Sequence, residues 1–151
     1  METNQTFNSE VCKRNRCTHC ARINTGTSFT SRATGNTFEL RHNMNCKSEN
    51  LVYLITCKKC SLQYVGQTTQ QVSKRMNSHK FDICNFVDPA FASNVAIHFN
   101  SENHSLNDFS FMPIDIVKNN FDRLCKETFW MHKLKTFTPD GMNSKLLFTV
   151  D

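Results

Sequence analysis

The sequence predicts an α/β (α+β) domain, a small central antiparallel sheet flanked by helices, with a zinc-bound appendage at its N-terminus. Three observations predict it. Two runs rich in β-branched and aromatic residues, 51–56 and 63–66, are separated by a short turn that carries two cysteines. Two later stretches, 69–83 and 119–137, place apolar residues at helical spacing. Eight cysteines occur among 151 residues, several at the spacing of metal ligands. The length suits one domain with a small addition, and 38% hydrophobic residues suffice for a core.

The expected appendage covers residues 1–47 and the domain residues 48–151. Within the first, Phe29 and Phe38-Glu39-Leu40 flank the turn-prone Thr34-Gly35-Asn36, which reads as a hairpin. Leu51-Val52-Tyr53-Leu54-Ile55-Thr56 should be a buried strand, and Gln63-Tyr64-Val65-Gly66 its partner. Thr68 is placed to cap a helix from Thr69 to Ile83 with Val72, Met76 and Ile83 inward; Arg75 and His79 then share one side of it. Residues 91–99 suggest a short helix presenting His98. Phe109, Phe111, Ile114 and Ile116 suggest a strand interrupted or ended near Pro113. A longer helix opens at Asn119 or Asn120 and runs to about Phe137, with Phe121, Leu124, Met131 and Leu134 as its apolar face. Residues 146–150 suggest a last strand.

The cysteines are read as metal ligands rather than disulfides. Residues 1–10 are polar and lack the apolar stretch of a secretory signal, so a reducing compartment is expected. Cys57-Lys58-Lys59-Cys60 is a two-residue knuckle, and His98 and His104 complete a Cys2His2 zinc set with it. The 37 residues between the pairs exclude an independent DNA-reading finger, so this site would clamp two parts of one domain. Cys12, Cys17 and Cys20 form a second cluster; Cys46 is favoured as its fourth ligand, with His19 and His42 as competitors. About two Zn2+ per chain follow. Cys84 and Cys125, being isolated, read as ordinary buried thiols.

Residues 1–80 hold 12 Lys+Arg and 4 Asp+Glu, a balance of +8, whereas residues 81–151 hold 6 and 9, a balance of −3. The first half is thus suited to a polyanion or to a merely solvated face, and Lys13, Arg14, Arg16, Lys58 and Lys59 are the candidate phosphate contacts. No apolar run approaches the roughly 20 residues of a membrane-spanning helix.

Several motifs, taken in order, resemble those of the GIY-YIG nucleases. Leu51-Val52-Tyr53 and Tyr64-Val65-Gly66 resemble the two strands that name that family; Arg75-x3-His79 follows on the next helix, then Glu127 in a late helix and Gly141-Met142-Asn143 after it. A thiolate pair inside the hairpin, the downstream histidines and the upstream Cys-x4-Cys-x2-Cys resemble the subclass found in Penelope-like retroelements. Leu51 departs from the pattern, standing where the first glycine is usual.

The resemblance implies the GIY-YIG nuclease fold and a DNA endonuclease, a nickase dependent on Mg2+ or Mn2+, whose 3′-hydroxyl product primes reverse transcription. It also implies DNA as partner, a reverse transcriptase module or element RNA beside it, nuclear action on genomic DNA and, for double-strand cuts, a homodimer. Glu127 is the expected ligand of the catalytic metal, because a carboxylate near an apolar helix face is costly without a cation. Arg75 has the planar fork that suits the scissile phosphate. His79 orients or deprotonates, Tyr53 is favoured over Tyr64 as the base for water, Asn143 holds the frame, and Gly66 lets backbone and substrate approach closely. The competing reading is a non-catalytic, zinc-stabilised nucleic-acid-binding module.

Overall fold

A computed structural model describes residues 5–14 and 16–144. Its centre is a three-stranded antiparallel sheet of β3 (Leu51–Cys57), β4 (Gln63–Thr68) and β5 (Phe109–Ile116) in the order β4-β3-β5, after a two-stranded hairpin of β1 (Ser28–Thr30) and β2 (Thr37–Glu39). The helices are α1 (Val72–Cys84), α2 (Asn94–Phe99) and α3 (Asn120–Leu134). Among the described residues no helix is long and apolar enough to cross a membrane. The strand expected at 146–150 lies outside the described residues.

β3 is apolar throughout because both sheet faces are covered. Its side chains alternate between two cores. Leu51, Tyr53, Ile55 and Cys57 pack with Val72 and Met76 of α1, Val95 and Phe99 of α2, and Phe109 and Phe111. Val52 and Leu54 face the other way, towards Phe29 of the hairpin, Met112, Ile114 and Leu134 of α3. Leu51, fully buried, occupies its position as a core residue.

Residues of the N-terminal segment enter both cores, Ile23 and Cys46 in the first and Phe29, Leu40 and Met44 in the second. They also cover one sheet edge, where Asn24 N donates to Phe111 O at 2.7 Å and Phe111 N to Arg22 O at 3.1 Å. The opposite edge, along β4, is closed by residues after α3. The Asn143 side chain acts there as a one-residue strand, accepting from Val65 N at 2.9 Å and donating to Val65 O at 3.0 Å. Thr136 Oγ1 donates to the same Asn143 oxygen at 2.7 Å, and Met142 N to Gln63 O at 2.8 Å.

Several expectations need correction. Thr68 does not cap α1: its hydroxyl accepts from Gln70 N, ahead of a helix that starts only at Val72. The first N–H groups of α1 donate instead to Ser48 O and Cys46 O, at 2.8 and 3.0 Å. Residues 91–99 are divided between a 3-10 turn at Pro89–Phe91 and α2, which Ser93 caps. Pro113 does not end its strand. β5 is an edge strand with a register shift at this point, Val52 pairing with Asp115 and Tyr53 with Pro113, so the missing N–H is tolerated. α3 stops at Leu134, where Lys135 turns left-handed at φ 52°. Its inward face is not the expected one, since Phe121 and Leu124 are 72% and 51% exposed, Met131 is half-buried, and Arg123 is buried beside Leu134.

Replacing Asn143 by Ala strands the buried Val65 N–H and C=O and the Thr136 hydroxyl. The expected cost is about 2–4 kcal/mol in the denaturant-unfolding free energy. A loss under about 0.5 kcal/mol would mean that the clamp contributes nothing.

Candidate active site and metal centres

Tyr53 is the central residue of the site. It lies mid-strand in β3, fully buried, and its register partner is Gly66 of β4. A Cβ on Gly66 would overlap the Tyr53 ring and hydroxyl, so this glycine makes room for a phenol rather than for substrate, as the sequence reading had it. Burial leaves the hydroxyl dependent on protein partners. Arg75 and His79, one turn apart on α1, supply them: Arg75 Nε donates to the phenol oxygen at 3.2 Å, and His79 Nε2 lies 2.8 Å from it. Burial, and next the Arg75 charge, push the His79 pKa down to about 3, so the ring is neutral near pH 7. Arginine can only donate, so the phenol's own proton is directed at the bare Nε2 of His79.

Tyr64 stands on the neighbouring strand, half-buried, with its ring edge-on to His79 at 5.9 Å. Glu127 reaches the group from α3. Its carboxylate is half-buried and has no hydrogen-bond partner among the described residues. Burial raises its pKa while Arg75 opposes the rise. In turn Tyr64 is pushed up by burial and then by the Glu127 charge, and Tyr53 by burial and then by the charges of Tyr64 and Glu127. The structure therefore brings together Tyr53, Tyr64, Arg75, His79 and Glu127. Asn143 lies at the outer edge of β4 and acts on the backbone of Val65. A half-buried carboxylate without a donor, facing two phenols, suits a hard divalent cation that keeps several waters.

The two cysteine-containing sets converge as well. Cys12, Cys17, Cys20 and Cys46 place their sulfurs within 4.8 Å of one another, with Cys12–Cys20 at 3.6 Å and Cys20–Cys46 at 3.9 Å. A zinc–thiolate tetrahedron with bonds of about 2.3 Å has edges of about 3.8 Å, so the set fits zinc. Burial raises the Cys46 thiol, with the neighbouring sulfurs adding to it. Burial raises Cys17 too, but the His19 backbone N–H and the Cys12 and Cys20 thiols outweigh it and bring it down to about 7. The competing histidines are otherwise engaged, His19 Nε2 with Asn77 Oδ1 at 2.7 Å and His42 Nδ1 with Ile116 N at 3.4 Å.

The second set is Cys57, Cys60, His98 and His104, also within 4.8 Å. His104 Nδ1 donates to Glu102 O at 3.0 Å, which fixes its tautomer and leaves Nε2 bare; that buried nitrogen has no partner among the described residues. A ring oriented by a carbonyl behind it is the usual arrangement of a metal-ligating histidine. Cys84 and Cys125 lie outside both sets and are exposed, not buried as expected, because each sits on the outer side of its helix.

Lys13, Arg14, Arg16 and Lys58 are exposed cations beside the two sets. The Lys59 ammonium bonds to Asn103 O and so braces the loop that carries His104. Sequence reasoning missed Arg123, buried one turn before Glu127 on the same helix face. The four-residue spacing was the available signal, and an apolar-face count does not register it.

Purified protein should carry about two Zn2+ per chain by elemental analysis, and Cys57→Ser should lose one of them with a large fall in stability. A metal-free wild type that melts as a folded domain would contradict both assignments. His79 generates a pH dependence. Below its ordinary value of 6.5 the unfolded chain protonates this ring, whereas the folded chain does not until about 3, so the unfolded state binds more protons. Stability should therefore fall from pH 6.5 downward, by at most about 1.4 kcal/mol per pH unit from this group. His79→Gln should flatten that part of the curve, and parallel curves for the two proteins would refute the assignment.

The family model for the GIY-YIG catalytic domain matches residues 49–138, from the start of β3 to just past α3. No curated protein and no solved structure matches the chain significantly. The matched span contains the convergent phenols, guanidinium, imidazole and carboxylate, and the chain accordingly belongs to the GIY-YIG catalytic domain family, a metal-dependent class of nucleases, and is an endonuclease.

Proposed function

We propose that this endonuclease nicks DNA by hydrolysing a backbone phosphodiester, with the scissile phosphate held between Arg75, the two phenols and Glu127. The observation that carries the reading is the hydrogen-bonded line from Arg75 through Tyr53 to His79, set beside an unpartnered Glu127.

Arg75 uses only Nε on Tyr53, which leaves its two terminal nitrogens for phosphate oxygens and for the charge that grows on them during attack. Tyr53 takes the proton of the attacking water on its oxygen while passing its own to His79 Nε2, and the bound phosphate, by neutralising Arg75, removes part of what keeps that imidazole from accepting it. Tyr53 is fully buried, so its hydroxyl meets the attacking water only once substrate binding has uncovered it. Tyr64, closer to the surface, positions the water. Glu127 would hold Mg2+ or Mn2+, and the bound ion would supply Lewis acidity for the hydrolysis. Zn2+ occupies the two cysteine-containing sets and holds the fold.

The Penelope-like type is supported by those sets: one joins the end of β3 and the β3–β4 turn to α2 and the loop after it, and the other precedes the sheet. In that setting the nick leaves a 3′-hydroxyl as primer for a reverse transcriptase module carrying element RNA, in the nucleus, and a homodimer would serve a second-strand cut. Lys13, Arg14, Arg16 and Lys58 contact flanking phosphates.

With supercoiled plasmid and Mg2+ or Mn2+, wild type should accumulate nicked circles, and Glu127→Ala and Arg75→Ala should each be slower by about 10²–10³-fold. Binding without cutting by wild type, across metals and sequences, would instead establish a non-catalytic nucleic-acid-binding module.

A further inference from the structure

Beside Arg75 lies an open cleft of 480 Å³, floored by β4 and the turn that leads into α1, and walled by the first turn of α3. Its lining includes Gln67, Thr69, Arg75, Asn120 and Arg123, and none of its lining residues is acidic. Arg123 is 98% buried by its 2% exposure and has no carboxylate partner among the described residues. It is held by neutral oxygens: Nε donates to Gln67 Oε1 at 2.8 Å, a terminal nitrogen to Asn120 Oδ1 at 2.7 Å, and the other to Val117 O and Lys118 O at 3.1 and 3.3 Å.

These bonds decide which way the two amides point. A guanidinium has no acceptor, so the oxygen ends of Gln67 and Asn120 must face Arg123. Their NH2 ends have no partner among the described residues and remain as donors at the cleft. Arg75, whose terminal nitrogens address the scissile phosphate, borders the cleft and adds its charge. Two oriented amides and the Thr69 hydroxyl offer hydrogens, the charges of Arg75 and Arg123 lie beside them, and no acidic residue is in the lining. Such a site takes a tetrahedral oxyanion.

We infer that this cleft is a second phosphate subsite, which holds the backbone phosphate next to the one cleaved. The inference rests on the DNA-nicking reading, because the adjacent Arg75 already addresses the scissile phosphate. Arg123 acts here as a positioning residue: it sets the amides and lends its charge. The subsite would fix the register of the strand, so that the phosphodiester reaching Tyr53 is the one held in line. Inorganic phosphate offers the same oxyanion chemistry, and a strand phosphate differs from it in being tethered on both sides.

Asn120→Asp and Gln67→Glu test this without unmaking the Arg123 network. Each keeps the oxygen that Arg123 needs and replaces the outward donor by an anionic acceptor. Asn36→Asp, in the exposed turn of the β1–β2 hairpin, controls for net charge. Binding is measured on a Glu127→Ala background to prevent cutting, and nicking on the native background. Each cleft variant should weaken duplex binding about tenfold. Each should also lower the slope of log affinity against log salt by about one, while Asn36→Asp matches wild type. A scan of single methylphosphonates beside the cut should find one position that weakens wild type and leaves a variant carrying both Asn120→Asp and Gln67→Glu unaffected. The wild-type half of that arm needs no protein change, so it stands even if a variant misfolds.

Unchanged affinity and slope in folded cleft variants, or no sensitive methylphosphonate, would overturn the subsite while leaving nicking intact. Altered inhibition by inorganic phosphate with unaltered DNA affinity would overturn it too, assigning the cleft to a free anion. A wild type that does not nick DNA would remove the nuclease reading itself, and this inference with it.

Discussion

The hydroxyl of Tyr53 sits where water does not reach it, so its partners must come from the protein, and that need ties the central strand to its neighbour and to the first helix. A buried hydroxyl left unpaired costs about 1–3 kcal/mol. Arg75 and His79 meet the need only if α1 lies across the sheet with one face towards Tyr53, a placement that also buries Val72 and Met76. Gly66 is the complement on the other side. Any side chain there would occupy the volume of the ring. Strand register, helix placement and the absence of a Cβ thus follow from housing one phenol, and the same hydrogen bonds connect it to a cation on one side and a neutral base on the other.

A three-stranded sheet has few strands over which to distribute edges, and here both edges are closed by segments that are not strands of it. Residues 22–24 close one, and the Asn143 amide closes the other. The chain before β3 has little regular structure of its own beyond a three-residue hairpin, yet it contributes to both cores. Four sulfurs within 4.8 Å explain how such a segment is held. Thiolates at that distance repel unless a cation sits among them, and a zinc ion bound there would turn the repulsion into a crosslink between residues 12–20 and Cys46. Cys46 is directly coupled to the site: its carbonyl accepts from Ser73 N in the first turn of α1, the helix of Arg75 and His79. A metal ion in the second set would do the same for the far end of the β3–β4 hairpin, joining it to α2 and the loop after it.

Legibility in the sequence followed the range of the interactions. β3 and β4 were readable because β-branched and aromatic residues favour strands locally, and the convergent residues were readable because their order along the chain resembles a family. The cysteine sets were readable from spacing, and Cys46 was favoured over His19 and His42, whose hydrogen bonds to Asn77 and Ile116 now account for them. What local patterns missed was decided at a distance. Thr68 looks like a cap, but the first turn of α1 is satisfied by carbonyls of residues 46 and 48. Pro113 looks like a strand end, but it lies on an edge beside a register shift. Gly66 looks like an approach point for substrate, and only the pairing register shows that Tyr53 fills the space.

The largest local misreading, the face of α3, shows how the site is kept reactive. Counting apolar residues turns Phe121 and Leu124 inward, and the folded helix leaves both exposed. Its C-terminal half is anchored by Leu134 and by Trp130, which stacks edge-on to Phe29 and Phe38 at 5.2 and 5.3 Å and donates to Asp115 at 3.1 Å. Its N-terminal half is anchored by the hydrogen bonds of Arg123. Between the anchors lies Glu127, one turn from Arg123 and two turns from Leu134. Had Phe121 and Leu124 alone set the helical phase, Glu127 would stand about 90° from the middle of the buried face, at about 100° per residue. Placing a buried cation, rather than an apolar residue, at the inner N-terminal position costs desolvation that its neutral partners only offset in part. It secures the rotation of α3 without pairing with Glu127, because its donors are taken up by Gln67, Asn120, Val117 and Lys118. The carboxylate therefore reaches the site fixed in direction and still without a hydrogen-bond partner, the condition in which it can take a metal ion. A local sequence preference overridden by a specific polar network is what a functional site is expected to show.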